Sequence, residues 1–185
     1  MSKAVTPDQD SVGASIGLRR NSVKLLPHQV VWQDVFQTTK THLQEILGDR
    51  IVDIQHVGST AVANLSAKPI IDVLVGMENL KQIQHIMPIL TAHDYEYRGE
   101  RSATDDHLFV KGPQADIRTH HIHIVTHQGT LWQDYVYFRD ALRADLVLAQ
   151  RYAQLKEELA EQYRNDRGLY TAGKTVFIQE ILTGR

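Results

Sequence analysis

The sequence predicts an α/β (α+β) protein: a mixed β-sheet packed by helices, with a C-terminal helical annex. Three observations carry this. Apolar residues recur at helical spacing near the start and again over the last third of the chain. Pro69-Ile70-Ile71-Asp72-Val73-Leu74-Val75 is nearly all apolar, the composition of a central strand buried on both faces. Two short apolar runs flank Gly112-Pro113, the pattern of a hairpin. Helix, strand, strand, helix, hairpin and then helices is the order of a sheet covered by helices.

The elements follow in order. Residues 1–20 mix Ser, Gly, Asp and Lys without a period and are predicted to be a flexible arm; residues 21–185 are predicted to form one domain. Val31, Val35, Leu43 and Ile46-Leu47 mark an amphipathic helix, with Gly48 as its stop. Ile51–Ile54 is a short strand, and Val57-Gly58-Ser59-Thr60 reads as a strand-to-helix turn. Asn79 caps a helix from Leu80 to His93 that Pro88 kinks or divides. Residues 98–106 are polar and read as a loop, whereas His107–Lys111 and Ile117–Val125 read as paired strands. Helices are predicted over Leu131–Arg143, Leu146–Arg164 and Ala172–Leu182, with Phe138, Leu142, Leu146 and Leu155 as core.

Composition narrows the function classes. The 185 residues are enough for a real core, and 42% hydrophobic with 23% charged residues is ordinary for a globular chain. A net charge of −2 gives no bulk basic field, so no specific nucleic acid is expected as partner. The absence of cysteine excludes disulfides, thiolate metal sites and a cysteine nucleophile. Met1-Ser2-Lys3-Ala4 lacks the apolar core of a signal peptide and no run is long enough for a membrane span, so a cytoplasmic location and no membrane partner are expected.

Three groups of residues carry candidate chemistry. In the first, Gly58 permits close backbone approach, Ser59 and Thr60 offer hydroxyl and N–H groups to phosphate at a helix start, and Asp72 sits inside an aliphatic strand. A carboxylate there is costly unless paired or metal-bound; it is equally compatible with a salt bridge to Lys68 or an arginine. Lys68 projects toward the Gly-Ser turn as a point charge for phosphate, or is an ordinary exposed lysine. The second group is Arg118 to Val125. Strand alternation puts Arg118 and His120 on one face and His121 and His123 on the other, where two imidazoles two residues apart suit a metal or a phosphate. In the third, Tyr135, Arg139 and Arg143 share a helical face beside Asp140, with Lys174 near the last helix; they close over a phosphate-rich ligand or form a solvated charged face.

Several segments together resemble the GrpB family. They are His56-Val57-Gly58-Ser59-Thr60-Ala61-Val62, Ala67-Lys68-Pro69-Ile70-Ile71-Asp72, Tyr95-Glu96-Tyr97-Arg98-Gly99, Thr119-His120-His121-Ile122-His123, Phe138-Arg139-Asp140 and Ala172-Gly173-Lys174-Thr175-Val176-Phe177-Ile178. The resemblance runs from about residue 27 to the end. It implies a nucleotidyltransferase-like fold, whose signature is a strand, Gly-Ser, a helix, and a strand bearing Asp-x-Asp/Glu. Gly58-Ser59 and Asp72 match; Leu74 stands where the second carboxylate belongs, Gln55 where relatives often carry Glu, and Asn64 where a Pro-Gly-like turn is common.

The resemblance implies a protein that binds a nucleotide or other phosphate-bearing small molecule with a divalent metal, Mg2+ or Mn2+ with Zn2+ as the alternative, and transfers a nucleotidyl group to an acceptor. Asp72, His121 and His123 would be metal ligands or catalytic groups. Gly58, Ser59, Thr60, Lys68, Arg118, His120, Arg139 and Lys174 would contact phosphate. GrpB-like domains also resemble one fused to dephospho-coenzyme A kinase, which implies nucleotide or coenzyme A metabolism. Two alternatives stand beside this. One is a nucleotide-binding module without transfer. The other is a metal-dependent hydrolase or isomerase built on two histidines and one carboxylate. Oligomeric state is left open.

Overall fold

The computed structural model describes residues 16–101 and 105–185. Strands are β1 (Leu18–Arg19), β2 (Asp53–Val57), β3 (Ile71–Met77), β4 (Glu96–Arg101), β5 (Asp106–Lys111), β6 (Ile117–Arg118) and β7 (His120–Thr126). Helices are α1 (Val31–Leu47), α2 (Ile83–Ala92), α3 (Thr130–Ala144), α4 (Leu146–Gln162), α5 (Arg167–Ala172) and α6 (Thr175–Thr183). The main sheet has the order β2-β3-β7-β5-β4, with β3 and β7 parallel and the other neighbours antiparallel. This is the mixed sheet packed by helices that the sequence predicts.

Alternation along β3 and β7 sorts the layers. Ile71, Val73, Val75, Ile122 and Ile124 face Trp32, Phe36, Leu43 and Leu47 of α1 and Ile86 and Leu90 of α2, forming the main core. Each such aliphatic side chain contributes roughly 1.5–3 kcal/mol on burial. On the opposite face Val57, Leu74 and Val125 pack against Trp132 of α3. Gly76 lies on this face, where a Cβ would run into the Trp132 and His127 rings. The annex has its own core of Val62, Leu65, Leu142, Ala149 and Tyr152, with Phe138, Leu155 and Phe177 against it. Among the described residues, no helix is long and apolar enough to cross a membrane.

Several boundaries differ from expectation. Residues 1–15 of the predicted arm lie outside the described residues, but Leu18–Arg19 pair with Ile117–Arg118 and Leu18 is fully buried, so the arm's end belongs to the fold. The first sheet strand runs to Val57 rather than ending at Ile54, because Asp53 to Val57 pair without a break with Gly76 to Asp72 of β3. Much of the predicted 98–106 loop is strand, with an irregular register between Tyr97 and Glu100. The Ile117–Val125 strand is broken at Thr119, its first part pairing with β1 and its second with β3 and β5. Pro88 sits inside α2, preceded by a separate 3-10 turn at Leu80–Gln82 that Asn79 caps. Leu146 is not core: it is 67% exposed at the first residue of α4.

Candidate functional site

The parallel pairing of β3 with β7 sets Asp72 beside His121 and Leu74 beside His123. All four therefore face the α3 side of the sheet. A cavity of about 580 Å³ opens there, lined by Gly58, Ser59, Thr60, Lys68, Asp72, Arg118, His121, His123, Lys156, Arg167 and Lys174, with Tyr135, Tyr152 and Tyr170 as aromatic walls. Nine of the eleven residues predicted from sequence thus converge on one space. A more open groove of about 710 Å³ lies elsewhere; Glu157, Glu158 and Glu161 line it and no histidine does.

Asp72 Oδ1 is 2.8 Å from His121 Nδ1. His121 Nε2 in turn is 2.8 Å from a guanidinium nitrogen of Arg167, which can only donate. The proton of His121 is therefore on Nδ1 and donates to an ionised Asp72. Burial alone would push the Asp72 carboxyl up; the His121 hydrogen bond and the nearby His123 and Lys68 hold it well below the usual carboxylate range. Burial drives His121 down to about 4, against the pull of Asp72 and with the help of Arg167. Gly58 adopts φ 70°, and a Cβ there would press into the Asp72 carboxylate, so the turn and the strand fit only with glycine at this position.

The turn differs from its expected form. Ser59–Ala61 is a single 3-10 turn, not the start of an α-helix, so no macrodipole focuses there. Thr60 is buried and its hydroxyl contacts His56 Nε2 at 3.0 Å. Ser59 Oγ accepts from Lys156 Nζ at 3.1 Å, and Lys156 also donates to the Ser66 carbonyl.

Lys156 is a site residue that the motifs did not single out. It is fully buried, above the Tyr152 ring, and burial together with the Lys174 charge lowers its ammonium to about 7. Lys68 and Lys174 both lie over the Tyr170 ring, at 4.8 and 4.7 Å. Burial first, then Arg167 and Lys174, pull the Lys68 ammonium well below its ordinary value. Lys68 is thus not an ordinary exposed lysine. Arg118 lines the cavity although strict alternation sets it with His120; the break at Thr119 explains this. Its guanidinium donates to the Ala115 carbonyl and to Glu96.

Two predicted phosphate contacts lie elsewhere. His120 points to the α1 side, with Nε2 3.0 Å from Thr39 Oγ1. Arg139 is buried behind β2, where it donates to the His56 carbonyl and Gln55 at 3.0 Å and to Asp140. Arg143, on the same helical face, donates twice to the Ala61 carbonyl. The two arginines brace the 56–61 segment from behind, because α3 packs on β2.

Asp106 was also missed. It is 3% exposed, its two oxygens lie 3.0 and 3.2 Å from His123 Nδ1, and it accepts from the Tyr135 hydroxyl at 3.2 Å. Leaving such a buried carboxylate short of a hydrogen-bond partner costs about 1–3 kcal/mol.

Asp72, His121 and His123 each offer one donor atom, all within 4.8 Å of one another. A single ion about 2.1 Å from each would need donors at most about 4.2 Å apart. Bringing the set into ligating range takes a small side-chain shift and the release of one His121 nitrogen, Nδ1 from Asp72 or Nε2 from Arg167. One oxygen and two nitrogens suit Zn2+ best, and a two-histidine, one-carboxylate set is also compatible with Mn2+, whereas Mg2+ prefers an all-oxygen shell.

The chain matches the GrpB protein family over residues 22–184. It is 36% identical to the glutamate-rich protein GrpB of Alkalihalophilus pseudofirmus over 90% of this chain and 98% of that one. It is 31% identical to the UPF0157 protein YqkA of Bacillus subtilis, over 86% of this chain but only 46% of that longer one. The crystal structure of the conserved protein GrpB from Enterococcus faecalis superposes with a TM-score of 0.79 at 32% identity, covering 87% of this chain and 96% of that one. A distant likeness of fold, TM-score 0.42 at 14% identity over 71% of this chain and 45% of the other, is to the Cid1 poly(U) polymerase.

Proposed function

This chain belongs to the GrpB family, and from that premise we propose that it binds a nucleotide or another phosphate-bearing small molecule, together with a divalent metal, over Asp72 in the manner of a nucleotidyltransferase. One observation carries the reading. The cavity is lined by seven Lys or Arg side chains, Arg20, Lys68, Arg98, Arg118, Lys156, Arg167 and Lys174, against two carboxylates, Asp72 and Asp134. So many basic side chains in one confined space call for a polyanion, whose charge would restore the ammonium form of Lys68 and Lys156. The volume of 580 Å³ also falls within the range of about 300–1,000 Å³ common for small-molecule sites.

Ser59, Lys68, Lys156 and Lys174 hold phosphate oxygens, and Asp72, His121 and His123 hold the metal. A bound divalent ion supplies charge neutralisation and polarises the phosphoryl group. Tyr135 and Tyr170 line the cavity.

A second reading, binding without nucleotidyl transfer, is favoured by Leu74. The position of the expected second carboxylate is held by a leucine, fully buried against Val57, Val125 and Trp132, which offers no ligand atom.

A thermal-shift panel of nucleoside triphosphates and coenzyme A precursors, with and without Mn2+, tests the proposal. Ligands that bind the native state raise its melting temperature. The proposal expects a rise with triphosphates that Mn2+ enhances; a flat panel would remove it. Turnover of triphosphate with Mn2+ separates transfer from mere binding.

A further inference from the structure

We propose that Asp106 is a positioning residue that holds His123 as its Nδ1–H tautomer, so that Nε2 is the atom His123 presents to the cavity. The inference deepens the reading above, in which His123 is a metal ligand, and rests on it for its functional consequence.

Asp106 opens β5, and its carboxylate turns inward beneath α3. Asp106 is not among the residues that line the cavity, whereas His123 is. Both carboxylate oxygens contact His123 Nδ1, and the Tyr135 hydroxyl donates to one of them. With Asp106 ionised the carboxylate only accepts, and the imidazole then places its proton on Nδ1. The Tyr135 oxygen is 3.1 Å from the same Nδ1; with that nitrogen protonated, the phenol proton is directed to Asp106. The lone pair of His123 is thereby assigned to Nε2.

The same logic operates one rung away on β7 with a different carboxylate. His121 Nδ1 is held by Asp72. Asp72 lines the cavity, so it is open to ligand, while Asp106 lies behind the wall. The two histidines therefore have matching tautomers fixed by non-equivalent carboxylates. One is in contact with the cavity and the other is reserved for orientation. A carboxylate behind a ligating imidazole fixes its ring and raises its basicity, and losing it typically weakens metal binding about 10- to 100-fold.

The test uses the full chain and Mn2+ alone as probe. Long-range 1H–15N correlation spectra of the metal-free wild type, with the His123 signals identified by their loss in His123→Gln, read the tautomer directly. The expected result is Nδ1–H. Asp106→Asn, with native circular dichroism, is expected to blur that preference and to lower Mn2+ affinity about 10- to 100-fold. Tripolyphosphate binding without metal should be unchanged in this variant, because Asp106 is outside the cavity. An Nε2–H tautomer in the wild type overturns the proposal. So does a folded Asp106→Asn protein that keeps both the wild-type tautomer and its Mn2+ affinity. A wild type that binds no Mn2+ defeats the metal reading of the preceding section, while the spectra still decide the tautomer and hence the role of Asp106.

Discussion

Asp72 and His121 face each other across the parallel β3–β7 pair, with Oδ1 and Nδ1 2.8 Å apart. Carboxylate and imidazole are in register because both strands run the same way from the same end of the sheet. With Arg167 donating to the other imidazole nitrogen, the pair is fixed as an ionised acid and a neutral base. Asp72→Asn keeps the shape but removes the charge. It is expected to leave the fold intact and to weaken Mn2+-dependent triphosphate binding by about tenfold or more. Calorimetric titration checks this, and unchanged Mn2+ dependence would remove Asp72 from the ligand set.

Gly58→Ala tests how tightly the turn fits. The residue has φ 70°, and its new methyl group would meet the Asp72 carboxylate. An alanine forced into that backbone region costs more than about 1 kcal/mol. The expected outcome is a lower denaturation midpoint together with a loss of anion binding greater than global stability explains.

Lys156 couples protons to both folding and binding. Its folded pKa of about 7 lies below the ordinary 10.5, so between these values the unfolded chain binds more protons. This residue's contribution therefore makes stability rise as pH increases from about 7 toward 10.5. A bound polyanion reverses the depression, so binding near pH 8 should take up a proton. Calorimetry in two buffers of different ionisation enthalpy reads that uptake, and Lys156→Met should abolish it while weakening binding.

His56 is expected to shape the acid limb of stability. Burial pushes it down to about 4 from 6.5, so in that window the unfolded chain binds the extra proton. Its contribution to stability is present above about 6.5 and lost as pH falls toward 4. His56→Gln should flatten the fall in denaturation midpoint over that range. An unchanged slope would mean that His56 is not held neutral by its contacts with Phe36 and Thr60.

Much of this architecture is legible in the sequence, for identifiable reasons. The aliphatic β3 run announces a central strand, and the lone Asp72 within it announces a site. The His121/His123 pair follows from alternation. The same rule misplaces Arg118, since alternation fails where Thr119 interrupts the strand. Arg139 and His120 looked equally suited to phosphate, but which neighbour an arginine or histidine meets is a tertiary fact. Asp106 is hidden in a polar stretch, and its partner His123 is 17 residues away. Lys156 left a usable signal: Ala149, Tyr152, Lys156 and Leu159 form one helical stripe, so the lysine sits on the buried face of α4. The polar β4 is an edge strand, where apolar patterning is weakest.

The most direct measurement is a calorimetric titration of ATP into wild type and Lys156→Met, each with and without Mn2+. Saturable binding to the wild type, strengthened by Mn2+ and reduced about tenfold or more in the variant, is the expected result. Absence of binding to the wild type, or equal affinity in a folded variant, would contradict a phosphate-binding cavity over Asp72.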